Sequence, residues 1–466
     1  MLTCITASGI PLTLSRKTAE YSMNGKHKII PSLITSCIIT GIIASIAIII
    51  IIYIAKGSMS YLFKDPRAIP IFMIMLPALI STTLYTILRG WFWGIKDFTT
   101  FSFGELIEEV FRIIFTILLA GGIIETLKGE IGLALAFTIS DVMIAIVMLF
   151  IFIKKGGKIG RPKEMKQLIK SSTPITAMRL FSGIISSLTA IIIPAQLILN
   201  GLSPSEATAA FGRVVGLAFP LIVIPMALTG SIITVLIPEI AGQNALGNLK
   251  GIRTKIEKVI ILSVAITGLF LGVFIAFGRE IGIIIYDDVV AGEFVKVGAW
   301  MMLPIVINQI TSSVLNSLAM EIKSFINYIL GAIILLFLIY FLPKYIGVYA
   351  LIAANGVFSI ITLMLNVISL KKKGVINLDF VKNCIYVIIF AIPSAYIGKC
   401  IFELIAYTMP LIISTSIACI VVLFIYSILI LTSNIININY FYIGKLKNNN
   451  EKHAKTALLI GKTKDL

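Results

Sequence analysis

Twelve continuous apolar stretches run through this chain of 466 residues, at about 29–55, 68–90, 104–123, 131–153, 172–199, 209–240, 255–277, 294–318, 322–343, 346–370, 381–403 and 408–432. A hydrocarbon core about 30 Å thick takes roughly 20 residues of helix to cross. The stretches do not alternate apolar and polar residues, which excludes the strands of a membrane barrel. The expectation is an all-α integral membrane protein with twelve complete transmembrane helices. A thirteenth, partial one is expected at the front, where nine mostly apolar or small residues run into Ile10-Pro11 and a charged loop. Composition agrees, with 58% hydrophobic and 13% charged residues where a soluble protein carries roughly 25% charged.

The net charge of +17 would point to nucleic acid in a soluble protein. Here the cations fall in short runs between spans, so no nucleic-acid partner is expected. Counted over alternate loops, 28 Lys and Arg stand on one side and 8 on the other, with three arginines inside spans. The basic side includes Arg16, Lys17, Lys26 and Lys28, the run from Lys154 to Lys170, and six tail lysines from Lys445 to Lys464. An excess of Lys and Arg marks the cytoplasm, so the C-terminus is expected there. The five cysteines lack metal or CxxC spacing and read as packing residues. With only His27 and His453 in polar segments, no zinc site or catalytic base is expected. The first residues lack a basic n-region, so no cleavable signal peptide is expected, and no GxxxxGK[ST] loop is present. Transport powered by nucleotide bound to this chain is therefore not expected.

Three short matches recur at one offset. Ile10-Pro11 matches Ile237-Pro238, Leu76-Pro77 matches Leu303-Pro304, and Ile95-Lys96-Asp97-Phe98 matches Ile322-Lys323-Ser324-Phe325, each 227 residues on (238 − 11 = 227). Such self-similarity reads as a duplication. Six crossings separate the copies, so both have one orientation, related by an axis along the membrane normal. Two such lobes enclose a cavity suited to a substrate.

Charge inside a span is expensive and marks a cavity, a partner or an interface. Arg179 follows Pro174 in "SSTPITAMRLFSG" and reads either as a cavity-facing cation or as an arginine snorkelling to the interface. Arg213 opens a span carrying Gly216, Pro220, Pro225 and Pro238. So many breakers survive only where other groups satisfy the freed backbone, and they let the helix bend. A cation on a bendable helix is the leading substrate-site candidate, against a simple interfacial arginine. Glu105, Glu108 and Arg112 share a helix face, and the i, i+4 order of Glu108 and Arg112 favours an internal ion pair. Asp141 is the one acid deep in a span, readable as a coupling-ion group or as a carboxylate bonded to its neighbours.

"LRGWFWGIKDFTTFSFGELIEEVFRII" resembles a loop-and-helix signature of the superfamily of multidrug, oligosaccharidyl-lipid and polysaccharide exporters. "AAFGRVVGLAFPLIVIPMALTGSIITVLIPEIAG", with "SGIPLTLSRKTAE" as its first-half counterpart, is similar to the stage V sporulation protein B branch, near the lipid II flippases. The resemblance implies two six-helix lobes of the MATE type plus two trailing helices. On that plan 1–153 is the first lobe, 154–171 a basic linker, 172–370 the second lobe, 371–432 the trailing pair and 433–466 a basic cytoplasmic tail. The first family helix and half of the second are then expected to be missing, and a chain starting at Met1 is expected to be transport-deficient.

The implied function is translocation of an undecaprenyl-pyrophosphate-linked sugar precursor across the bacterial plasma membrane, by alternating access, for envelope or spore cortex synthesis. Arg179 and Arg213 would face the cavity. No cofactor is implied, and the coupling ion is left open. Expected partners are the lipid-linked substrate, membrane lipids and envelope enzymes. An ion-coupled multidrug exporter and a non-transporting scaffold are the alternatives.

Overall fold

A computed structural model describes residues 6, 9–55, 68–121, 129–163, 165–377 and 379–433. The first residues of the opening stretch, the external Lys56, Lys64, Arg67 and Lys128, and the basic tail from 434 onward lie outside the described residues. All regular elements among those described are helical. The run of isoleucines in "IASIAIIIIIYI" would suit a strand in water. In hydrocarbon a single segment must satisfy its own backbone, and only a helix does so.

The first six helices are α1 (Gly9–Met23), α2 (Ile30–Ile54), α3 (Ala68–Met75), which joins α4 (Ala78–Gly94) into one span, α5 (Phe98–Phe115) and α6 (Glu130–Lys154). The rest are α7 (Met165–Leu199), α8 (Pro204–Gly212), α9 (Phe219–Ile222), α10 (Ile224–Ala245), α11 (Leu249–Tyr286) and α12 (Val289–Gly298). They continue as α13 (Met302–Ser317), α14 (Glu321–Phe341), α15 (Pro343–Ile346), α16 (Tyr349–Lys372) and the trailing α17 (Asp379–Ile405) and α18 (Leu411–Thr432).

Among the described residues eleven helices are long and apolar enough to cross a membrane. The remaining expected span is α5, which runs on through a wide π-helical turn at Thr116–Ala120. Glu105, Glu108, Glu109 and Arg112 lower its hydropathy. The expected single span at 209–240 is broken. A π-helical turn at Arg213–Ala218 follows α8, Pro220 starts α9, Val223 interrupts the chain, and Pro238 lies inside α10.

The charged loop expected after Pro11 is instead helix. Arg16 and Lys17 lie on α1 and are each only 5% exposed. Close packing explains it. A Cβ on Gly90 of α4 would stand 2.8 Å from the Pro11 carbonyl oxygen, so α1 and α4 touch backbone to backbone.

The duplication is written in the turns. Left-handed residues recur in the same order at Gly25 and Gly247, Lys96 and Ala319, Gly129 and Gly347, and Gly156 and Gly374. Their spacings are 247 − 25 = 222, 319 − 96 = 223, 347 − 129 = 218 and 374 − 156 = 218. Gly129 (φ 87°, ψ −140°) and Gly347 (φ 57°, ψ −139°) hold nearly the same conformation before the last helix of each repeat. The 227-residue offset of the dipeptide matches is therefore about one helical turn out of register. An Ile- and Leu-rich chain supplies chance matches one turn away.

The described chain forms two compact units. The first comprises the described residues up to 211 with 227–256 and 308–377, and the second 212–226, 257–307 and the described residues from 379 onward. The core of the first gathers Leu14, Leu33, Tyr85, Phe92, Met148 and Phe152. In the second, Phe277 on α11 packs with Ala418 and Val422 on α18. There Tyr426 donates a hydrogen bond to the Ala265 carbonyl at 3.1 Å, anchoring α18 to α11.

Candidate functional site

Within the first unit the two repeats are joined by buried polar contacts. The Arg16 guanidinium on α1 donates to the Asn316 carbonyl at 2.9 Å and pairs with the Glu321 carboxylate at the start of α14. The pair's side chains are 6% and 7% exposed. Near the end of α4, the Trp93 indole N–H donates to the Thr234 carbonyl on α10. In the register of the repeats Trp93 and Asn316 are equivalent (316 − 93 = 223). The ends of the equivalent helices α4 and α13 thus grip the equivalent helices α10 and α1 across the two repeats.

The grip is polar and incompletely satisfied. Arg16 Nε and Asn316 Oδ1 are buried without a hydrogen-bond partner; so are the Thr13, Ser15 and Thr18 hydroxyls of α1 and the Ser324 hydroxyl of α14, with Ser15 and Thr18 set against Gly94 of their own repeat. Each such group costs about 1–3 kcal/mol. Sequence reading missed this cluster. The signal was present in Glu321, an acid in the apolar "SLAMEIKSF" at the basic end of the spans.

Arg213 stands at the break after α8 and belongs to the second unit. Its Nε donates to Asp288 Oδ2 at 2.8 Å, and its side chain stays 43% exposed. Asp288 also caps α12 by accepting the Ala291 N–H at 2.8 Å. That backbone bond, then Arg213, holds the Asp288 carboxyl below its usual range against the opposing effect of burial. Arg179 belongs to the first unit, is exposed, and has no ion-pair partner among the described residues. It lies on α7, which carries Pro174 and Pro194 in its interior.

Asp141 does not stand free. Its Oδ2 accepts from the Thr82 hydroxyl at 2.8 Å, and Arg112 Nη2 lies 3.8 Å from Oδ1. Arg112 also binds Glu108 at 2.9 Å and Glu109 at 2.8 Å, and sits 5.1 Å over the Phe137 ring. Glu105 turns away to Arg89 at 2.9 Å. Across α4, α5 and α6, one guanidinium is thus shared by three carboxylates, while Arg89 and Glu105 pair separately. No group of His, Cys, Asp and Glu suited to a metal occurs among the described residues.

A duplicated, all-helical bundle of this kind, with buried charge pairs and a broken helix, defines a multi-pass membrane protein. Residues 1–243 match the model of the polysaccharide biosynthesis protein family, and the chain belongs to that family. Stage V sporulation protein B of Bacillus subtilis (strain 168) is 24% identical over 351 residues, covering 72% of this chain and 67% of the relative. The fold is shared with the Vibrio cholerae MATE transporter VcmN in its bent form, at a TM-score of 0.68 and 14% identity over 80% of this chain and 85% of that one. A MATE structure in the straight conformation matches at 0.70 and 14% identity, over 80% and 86% of the two chains. The chain is a multi-pass membrane protein of that family.

Proposed function

We propose that this protein moves a lipid-linked saccharide precursor, anionic at its pyrophosphate, across the bacterial plasma membrane by alternating access. Membership of the polysaccharide biosynthesis family supports the substrate class, and an undecaprenyl-linked envelope or spore cortex unit is the specific reading. The observation that carries the mechanism is the grip of Arg16 on Glu321 and Asn316, matched by Trp93 on Thr234. A permanent seam would be cheapest if apolar. A seam with orphaned polar atoms, Arg16 Nε and Asn316 Oδ1, and a buried ion pair is stable enough to close, and it gains solvation when it opens.

The basic loops support a cytoplasmic position for that seam and for the C-terminus. The lobes fall at 1–153 and 172–370, with a linker at 154–171, trailing helices at 371–432 and a tail beyond. Arg213 is the first candidate to hold substrate phosphate, by exchanging Asp288 for it, and Arg179 is the second. Gly216, Pro220 and Pro225 let the Arg213 segment bend. Asp141 is engaged by Thr82 and lies 3.8 Å from Arg112, so it is not a free cavity carboxylate, which disfavours a cation-drug exporter.

The test is flipping of a lipid-linked precursor in proteoliposomes. Arg213→Ala and Arg179→Ala are each expected to slow it at least about tenfold, since losing one charge-assisted hydrogen bond is worth about 1.5–3 kcal/mol. Arg213→Lys should retain part of the rate. Parental rates in both alanine variants would remove these arginines from the substrate path.

A further inference from the structure

Between α6 and α7 the chain runs as a non-helical strap at 155–163. A tether between two moving halves has no need of order, because slack in a loop costs little. This strap is pinned. The Gly160 amide donates to Thr35 Oγ1 at 3.0 Å, and the Lys163 amide donates to Ser36 Oγ at 3.0 Å. The Ser36 hydroxyl also lies 2.7 Å from the Lys163 carbonyl, to which it donates. Thr35 and Ser36 stand near the start of α2. A Cβ on Gly160 would meet the Ser32 amide nitrogen at 3.0 Å, so the strap lies directly on that helix. At its near end Lys155 binds Asp97 at 3.0 Å.

Along this fixed backbone Lys158, Arg161, Lys163 and Lys166 are exposed, as is Lys28 just ahead of α2. None of these five side chains has an ion-pair or hydrogen-bond partner among the described residues. Ile153 and Ile159, at 63% and 67% exposed, stand among the cations. All lie beside the ends of membrane-crossing helices, the level of the lipid headgroups. The sidedness rule accounts for how many cations are here. It does not account for a backbone held in place, nor for isoleucines presented between the charges.

We infer that the pinned strap is a docking surface for the phosphate headgroups of anionic phospholipids, with Ile153 and Ile159 entering the apolar layer beneath them. Charge complementarity sets the occupant: each Lys or Arg near an anionic surface adds attraction, and the apolar pair distinguishes a lipid from a soluble anion. The strap runs directly into α7, the first helix of the second repeat, so lipid bound here restrains the junction of the two repeats. The inference does not depend on the substrate proposed above.

The experiment uses the full chain in neutral detergent, with thermal unfolding followed after adding phosphatidylglycerol, phosphatidylcholine or inorganic phosphate. Phosphatidylglycerol is expected to raise the midpoint above the value in phosphatidylcholine, and phosphate alone to leave it unchanged. The variant Lys158→Gln, Arg161→Gln, Lys163→Gln, Lys166→Gln should need about tenfold more phosphatidylglycerol for half the effect, with its midpoint in phosphatidylcholine retained. Thr35→Val with Ser36→Ala keeps every charge and should lose much of the shift.

A full shift in the charge variant overturns the site. A full shift in the Thr35/Ser36 variant shows that charge count suffices and overturns the role of the pinned strap. A shift from inorganic phosphate alone overturns the lipid occupant. On the unmodified chain, mass spectrometry of co-purified lipid should find phosphatidylglycerol retained over phosphatidylcholine. Equal retention overturns the inference whatever the variants do.

Discussion

Arg16 and Glu321 stand 305 residues apart and share one buried ion pair. Desolvating both charges cancels much of their attraction, so the pair is a weak source of stability while intact. Breaking it is another matter. Glu321→Gln leaves a buried guanidinium uncompensated and should destabilise the protein by about 3–5 kcal/mol. Replacing both, Arg16→Met with Glu321→Met, should return stability close to the parent. Thermal unfolding of the single and double variants in a double-mutant cycle measures the coupling, and additive losses would show that the two side chains do not act as a pair. This contact was not legible in the sequence. Arg16 follows Pro11 closely and sits beside Lys17, which reads as a polar loop. Only the distant Glu321 makes a buried arginine affordable, and local patterning carries no trace of a partner so far along the chain.

At the scale of elements, the spans themselves were legible because apolar length is a local property. The broken segment after α8 was legible for the same reason, since Gly216, Pro220 and Pro225 punctuate it openly. The register of the duplication was not, because dipeptides in Ile-rich helices match a turn away as easily as in place. The backbone carries the register instead, in turns such as those of Gly129 and Gly347. Both occupy a conformation that side chains with a Cβ avoid, and both have open space around them. Gly129→Ala and Gly347→Ala should therefore each cost about 1–3 kcal/mol from backbone strain alone. Chemical unfolding of the two variants is expected to give similar losses. A neutral Gly347→Ala would show that the second turn does not hold the strained geometry of the first.

At the scale of the whole molecule, the duplicated halves have diverged in chemistry while keeping their plan. In the second repeat Asn366 donates to Ser312 at 2.9 Å and to Asn308 at 3.1 Å, and Asn327 donates to Asn366 at 2.9 Å. The equivalent positions in the first repeat are Met148, Tyr85 and Gly104 (366 − 148 = 218; 308 − 85 = 223; 327 − 104 = 223), buried in an apolar core. One half is held by amide hydrogen bonds and the other by apolar packing. If the polar seam is the moving end, fixing it must stop the cycle. Cysteines at Trp93 and Thr234, in a chain whose own cysteines are replaced, should arrest flipping when bridged by a short thiol-reactive linker that a reductant can cleave. Reduction should restore the rate. Undiminished flipping by the bridged protein would show that this end does not open.

The orphaned polar atoms of that seam have one more consequence. When the end parts, Arg16 Nε and Asn316 Oδ1 find their missing partners in the solvent that enters. Water is then a ligand of one conformer and not of the other. The balance between the two states becomes a function of water activity, so excluded solutes that draw water off the protein shift the population toward the sealed form.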